Sequence, residues 1–276
     1  MATMGTFAHI VVAVDGSDPA HRATAFAVEL AGREGARVSF CSVIDPMPDD
    51  VLSTLEERAR AVCSAATASA VAGRVIASST VLHGTTATAI EQFAHERCAD
   101  AIVVGAHGRK GFAPRMLGSV ASSIVRHSRI PVFTVRAHAT LDSYGPVLVA
   151  VDDSPPARAA QRAAIELARS QRAALHLVHV FGDGAHDADL RRRALQLAAG
   201  RFEDAADRVR AHPVPFSTEL CEGEPVAELL AAANRHGARL IASGTHGRDA
   251  QGRLVLGSVT EGLLRDAPVP VMTVRA

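Results

Sequence analysis

Short apolar runs alternate along the chain with longer stretches in which small apolar residues recur at helical spacing. Residues 11–14 form an uninterrupted apolar run of the kind found in strands buried on both faces. Residues 18–33 then place Ala23, Ala27 and Leu30 on one helical face. In the first half, the pattern predicts further strands at 38–44, 74–82, 101–105 and 132–135, and helices at 50–72, 86–97 and 119–126. Strands that alternate with helices of this length predict βαβ units and a parallel sheet.

The chain contains this pattern twice. The segment HIVVAVDGS at 9–17 returns as PVLVAVDDS at 146–154, and GAHGR at 105–109 returns as GTHGR at 244–248. The second half places its longest helix near 187–210. Since the spacing between matching residues stays nearly constant, a complete domain is duplicated. We therefore predict two domains, residues 1–140 and 141–276, joined by a short polar linker.

Composition narrows the classes of function. Of 276 residues, 48% are hydrophobic, but no apolar run approaches the ~20 residues of a membrane span. The 29 basic and 29 acidic residues give a net charge of +0, which argues against a nucleic-acid binder. The four cysteines have neither disulfide nor zinc spacing, and the first residues show no signal-peptide pattern. We expect a protein of the reducing cytoplasm that binds neither membrane nor nucleic acid.

Two glycine-rich segments carry the candidate chemistry. Each follows a predicted fourth strand with the pattern G-x2-G-x9-G-S and leads into a helix, through Gly105, Gly108, Gly118 and Ser119 in the first half and Gly244, Gly247, Gly257 and Ser258 in the second. Glycine allows positive φ and close approach of the backbone to a ligand, and a helix N-terminus attracts anions. The alternative is a glycine-rich turn with a serine N-cap and no ligand.

Aspartates close the first predicted strands, at Asp15 and Asp152. Ligands of doubly wound sheets bind at the carboxyl ends of strands, so each aspartate is expected to lie beside the glycine segment of its own half.

The sequence matches neither of two common nucleotide-binding loops and shows no catalytic motif. A P-loop needs a lysine before serine or threonine, but the single lysine, Lys110, precedes Gly111. The dinucleotide pattern G-x-G-x-x-G is missing after both first strands. His107 and His246 occupy matching loop positions without an evident nucleophile or orienting partner. We therefore predict neither a catalytic residue nor a metal site.

The doubled glycine pattern, together with an aspartate after the first strand of each half, resembles that of the ATP-binding subclass of the universal stress protein family. The resemblance extends along nearly all of both halves. The resemblance implies two tandem open five-stranded parallel sheets of order 3-2-1-4-5 flanked by helices, a Rossmann-like fold of the adenine nucleotide alpha hydrolase-like kind. It implies that Asp15 and Asp152 face the ribose or a phosphate-bound Mg²⁺. It also implies that the backbone of Val43 and Val180 meets adenine, and that the glycines and serines named above hold the phosphates of ATP.

The halves differ at two positions near these sites. Pro114 falls inside the first glycine segment and fixes φ there, which the second half does not share. Asp153 stands where the first half has Gly16, so that two carboxylates are neighbours. Such a pair favours a metal ion or repels phosphate.

The sequence favours an ATP-binding regulatory protein of the stress response that senses occupancy of one adenine-nucleotide site per domain. The alternatives are a slow ATP-hydrolysing or nucleotidyl-transferring enzyme of the same superfamily, and a dimerisation module with empty loops. The short apolar strands at 132–135 and 271–274 predict that the halves pair edge to edge as an intramolecular pseudo-dimer. Association of two chains into a homodimer is left open.

Overall fold

The computed structural model describes residues 5–108, 116–141, 145–181, 188–246 and 256–276, in two halves with the same order of elements. The first half comprises β1 (His9–Ala13), α1 (Asp18–Glu34), β2 (Arg37–Ile44), α2 (Asp49–Ala72), β3 (Ala77–His83), α3 (Thr86–Glu96), β4 (Ala101–Gly105), α4 (Ser119–His127) and β5 (Val132–Val135). The second half comprises β6 (Val147–Ala150), α5 (Pro155–Gln171), β7 (Leu175–Phe181), α6 (Ala188–Arg210), β8 (Phe216–Glu222), α7 (Pro225–Arg235), β9 (Leu240–Gly244), α8 (Ser258–Asp266) and β10 (Val271–Val274). No helix within these residues is long and apolar enough to cross a membrane.

Each half forms a parallel sheet of the predicted order. The strand order is β3-β2-β1-β4-β5 in the first half and β8-β7-β6-β9-β10 in the second. The order reverses between β1 and β4, and again between β6 and β9, so that a crevice opens there at the carboxyl ends of the strands. The predicted α/β fold class is confirmed.

The two sheets join into one. β5 and β10 pair antiparallel, with Phe133 opposite Met272, and make a ten-stranded sheet with an approximate two-fold axis at this junction. Both residues are fully buried, and the Phe133 ring packs edge-on against Phe7 at 5.6 Å between centroids. As the apolar last strands predict, the halves pair edge to edge.

Helices cover both faces of the sheet. Ile10 and Val12 pack in the layer that contains α1 and α2, whereas Val11 packs in the layer that contains α3 and α4. A strand buried on both faces needs apolar residues at every position, which explains the uninterrupted runs in the sequence.

One predicted boundary is wrong. The run at 74–82 predicts a strand from residue 74, but β3 begins at Ala77. Arg74 adopts φ 59° and the N–H of Val75 donates to Ala70 O at 2.9 Å, which closes the end of α2. The apolar residues before Ala77 therefore belong to a turn, and Ile76 is 79% exposed.

Candidate functional site

The helices that begin at the carboxyl edge of the sheet differ in how their first N–H groups are satisfied. In α1, α3, α5 and α7, a side-chain oxygen accepts a hydrogen bond from an N–H of the first turn. These pairs are Ser17 Oγ with Ala20 N at 3.3 Å, Asp45 Oδ1 with Thr86 N at 3.2 Å, Ser154 Oγ with Ala157 N at 3.3 Å, and Glu224 Oε2 with Ala227 N at 2.7 Å. These four helix termini are closed by the protein itself.

α4 and α8, which follow the strands at the order reversals, begin without such a cap, and so does α2, which follows β2. The N-cap residues of α4 and α8 are Gly118 and Gly257, and no side chain of the described residues caps either helix. The N–H of Gly118 donates to Ala106 O at 2.8 Å, and that of Gly257 donates to Thr245 O at 3.0 Å. The next three N–H groups of each helix have no acceptor in their own helix. This arrangement suits an anion in both halves.

The serines of the motif lie one residue after the N-cap position. Ser119 and Ser258 are the first residues of α4 and α8, and their side chains are exposed. A serine N-cap, the alternative to a ligand, is therefore wrong for both loops.

Close packing, rather than positive φ, explains the glycines that end the fourth strands. The expectation of positive φ is wrong for Gly105, Gly108, Gly118, Gly244 and Gly257. A Cβ on Gly105 would lie 2.8 Å from the Cβ of Pro19, and one on Gly244 would lie 2.6 Å from the N atom of Ala157. Each strand-ending glycine thus lets the first turn of α1 or α5 pack against the sheet. Gly247 lies outside the described residues, as does Pro114.

Asp15 lies beside the first glycine loop. Its Oδ1 accepts hydrogen bonds from the N–H of Ser17 at 2.9 Å and from the Ser17 hydroxyl at 2.6 Å. Its Oδ2 faces the loop, since a Cβ on Gly108 would lie 2.7 Å from it. The fold therefore brings the aspartate after β1 to the loop after β4, as the sequence predicts.

Asp152 is held in a related way in the second half. Its Oδ1 accepts from the N–H of Ser154 at 2.9 Å. The Ser154 hydroxyl donates instead to the backbone oxygen of His246 at 3.4 Å, which ties the end of β6 to the loop after β9.

Asp153 has arginine partners. It adopts φ 63°, the left-handed conformation that Gly16 adopts with φ 78° in the first half. Its carboxylate accepts from Nε of Arg158 at 2.9 Å and from Nη2 at 3.0 Å, and Nη2 of Arg208 lies 3.6 Å away. The positive charges of Arg158 and Arg208 offset the negative charge of the Asp153 carboxylate. Among the described residues, no three histidine, cysteine, aspartate or glutamate side chains are grouped to hold a metal ion.

Val43 and Val180 occupy equivalent places next to the crevice. Each is the second-last residue of its strand, β2 or β7, and each packs half-buried against the layer that contains α3 and α4 or α7 and α8. Their position at the carboxyl edge agrees with the prediction; contact with a base stays a prediction.

The loop histidines differ between the halves. Nδ1 of His246 lies 3.1 Å from the hydroxyl of Thr245, whereas Ala106 in the first half offers no hydroxyl. Nδ1 of His107 is buried and has no hydrogen-bond partner within the part of the chain that the structure describes. Burial, together with the positive charge of Arg136, lowers the pKa of His107, so the ring is neutral at pH 7.

The two open helix termini also differ in charge. The first turn of α4 has no acidic residue, whereas Glu261 lies in the first turn of α8. A carboxylate at a helix N-terminus competes with an anionic ligand there. The sequence predictions use neither this difference nor the Ala106/Thr245 difference, although a residue-by-residue alignment of the two halves shows both.

Taken together, the fold and the site define a tandem α/β protein in which each half has an uncapped helix terminus, at a glycine, where the strand order reverses. The family comparison narrows this class. The model of the universal stress protein family matches residues 6–136 and 143–275, so the chain belongs to that family.

Individual relatives agree with this assignment. One universal stress protein of Mycobacterium tuberculosis is 30% identical over 187 residues, a match that covers 64% of this chain and 62% of the relative. The chain thus spans less than two thirds of that relative's length. Another protein of this family from the same organism is 26% identical over 316 aligned positions, covering 100% of this chain and 97% of the relative. The crystal structure of a universal stress protein from Archaeoglobus fulgidus has a TM-score of 0.75 at 22% identity and covers 97% of this chain and 98% of its own, which supports the fold.

Proposed function

We propose that this chain is an ATP-binding regulatory protein of the stress response, with one adenine-nucleotide site in each domain. Its regulatory state would follow the occupancy of these sites. The proposal goes beyond family membership, because it assigns the ATP-binding subclass and a sensing role.

One observation carries the proposal. Among the described residues, α4 and α8 begin beside the crevice of their halves at a glycine with no capping side chain. α1 and α5 enter the same crevices, and their serines close their termini. An uncapped terminus at the strand-order reversal is where a phosphate would gain most from free N–H groups.

The residues around this terminus fit a nucleotide. Phosphate oxygens would accept from the first N–H groups of α4, beside Gly118 and Ser119. Asp15 Oδ2, which faces the loop, would coordinate Mg²⁺ or accept from a ribose hydroxyl. The β2 edge at Val43 would border the adenine, and the second half repeats each of these roles.

We infer that ATP is held rather than hydrolysed. Catalysis of phosphoryl transfer needs a group that positions or activates the attacking oxygen. His107 is neutral, and among the described residues its buried Nδ1 has no hydrogen-bond partner that would orient the ring. The protein would therefore act through the bound state and not through turnover.

We place the protein in the cytoplasm. Cys41, Cys63, Cys98 and Cys221 are all free thiols, and Cys98 is exposed. Exposed free thiols persist in a reducing compartment.

Small molecules released from the purified, denatured protein test the proposal. We expect mass spectrometry to detect an adenine nucleotide, and stripped protein to bind added ATP with Mg²⁺. Steady-state hydrolysis in the usual enzyme range of roughly 1–10³ s⁻¹ would favour the enzyme alternative instead. If stripped, folded protein does not bind ATP, the result would favour the alternative of a dimerisation module with empty loops.

A further inference from the structure

Two arginines cross the junction between the halves. Arg136 follows β5 in the first half, and its Nη1 donates to the backbone oxygen of Leu264 in α8 at 3.5 Å. Arg275 follows β10 in the second half, and its Nη1 donates to the backbone oxygen of Arg126 in α4 at 3.4 Å. The exchange is nearly symmetric about the β5–β10 axis.

Both arginines reach the last turn of the helix that they contact. Leu264 is two residues from the end of α8, and Arg126 is one residue from the end of α4. Carbonyl groups of a last turn lack donors in their own helix and carry the negative end of the helix dipole. At 3.4–3.5 Å these hydrogen bonds are long, so much of the attraction is between the guanidinium charge and the helix terminus.

Burial and polar contacts fix the Arg136 side chain near the end of α8. The residue is only 5% exposed, and its Nε lies 3.3 Å from Nε2 of His138. Burial lowers the pKa of Arg136, while the Asp266 carboxylate at the end of α8 raises it. Since a buried cation is costly without partners, these contacts fix where the guanidinium lies.

The backbone next to each arginine supports the loop of its own half. The N–H of Ala106 donates to Val135 O at 2.8 Å, and Ala106 O accepts from Gly118 at the start of α4, also at 2.8 Å. In the second half the N–H of Thr245 donates to Val274 O at 3.1 Å. A hydrogen-bonded path thus leads from the start of α4 to Arg136 and then to the end of α8.

We propose that Arg136 and Arg275 are positioning residues that act across the junction. Each holds the C-terminus of the helix whose N-terminus takes the nucleotide phosphates in the other half. Each nucleotide site then depends on an arginine of the opposite domain. The proposal rests on the proposed function for its ligand, but the arginine contacts themselves need no ligand.

Arg136→Met and Arg275→Met test this, because methionine keeps apolar bulk and removes the charge. Amide hydrogen exchange without nucleotide should quicken in α8 for Arg136→Met and in α4 for Arg275→Met. ATP affinity should then fall about two- to fivefold at the opposite site, with the thermal unfolding midpoint little changed. Gly257→Asp and Gly118→Asp backgrounds, which block one site each, report the first and second site separately.

Lysine variants add a control. Arg136→Lys keeps a positive charge near Leu264 and should recover most of the second-site affinity. Effects confined to the helix of the same half, or no change in exchange in either helix, would overturn the proposal. Crossed exchange effects in a chain that binds no ATP would retain the helix contacts and refute the nucleotide sites instead.

Discussion

Replacing Gly118 by aspartate separates folding from anion binding at the first loop. Gly118 has φ −63° and ψ 150°, close to the −80° and 160° of Ser17, which caps α1. An aspartate here can cap α4, which stabilises a helix by a few tenths of a kcal/mol over glycine, with about 0.3–1 kcal/mol from the dipole. Its Cβ would lie 3.1 Å from Cα of His107, which costs part of this gain. The free energy of unfolding should stay within about 1 kcal/mol of wild type.

ATP binding at the first site should respond far more strongly. The new carboxylate takes the open N–H groups of α4 and repels phosphate. A charge-assisted hydrogen bond contributes about 1.5–3 kcal/mol, so losing two weakens binding by about 3–6 kcal/mol, or at least ~100-fold. Gly118→Asn caps without the charge and should lose less, and the second site of the same chain should be unaffected.

Calorimetric titration with ATP and Mg²⁺ measures the loss, and thermal unfolding checks the fold. Wild-type affinity at the first site of a folded Gly118→Asp chain would refute phosphate binding at this terminus.

Three further changes test single contacts. Ala106→Thr gives the buried Nδ1 of His107 a hydroxyl and should raise the free energy of unfolding by about 1 kcal/mol in urea titrations; a lower value would count against it. Glu261→Ser removes the carboxylate from the first turn of α8 and should tighten ATP at the second site about two- to fivefold; an unchanged Kd would contradict this. Burial lowers the pKa of His9, so the unfolded chain takes up the proton first and stability falls as pH drops below about 6.5. His9→Gln should flatten this fall between pH 7 and 5, whereas a slope equal to that of the exposed-site control His95→Gln would refute it.

The fold could be predicted because the duplicated strands are buried on both faces. Residues 11–14 and their repeat are apolar at each position, which few structures other than a covered parallel sheet require. The boundary of β3 could not be predicted, because Ile76 is apolar and yet exposed in the turn after α2. Hydrophobic pattern alone does not show where an edge strand begins.

The candidate site was predicted in its residue types but not in its geometry. Glycine enrichment marks a place where a Cβ does not fit, but it does not distinguish positive φ from close packing, and packing holds for Gly105 and Gly108. The sequence alone does not show whether Ser119 and Ser258 are N-cap residues, because a shift of one residue in the helix start changes their role. Arg136 and Arg275 occupy matching positions in the two halves of the sequence, but the contacts of Arg136 could not be predicted, since its partner Leu264 lies in the other half of the chain.

Counting the nucleotides bound per chain tests the two-site proposal most directly. Native mass spectrometry of the stripped protein, refilled with ATP and Mg²⁺, resolves chains with no, one or two nucleotides. We expect two at saturation, with the first site filling before the second because of Glu261, and one in Gly118→Asp. A folded wild-type chain that binds no ATP, or a Gly118→Asp chain that still binds two, would contradict the proposal.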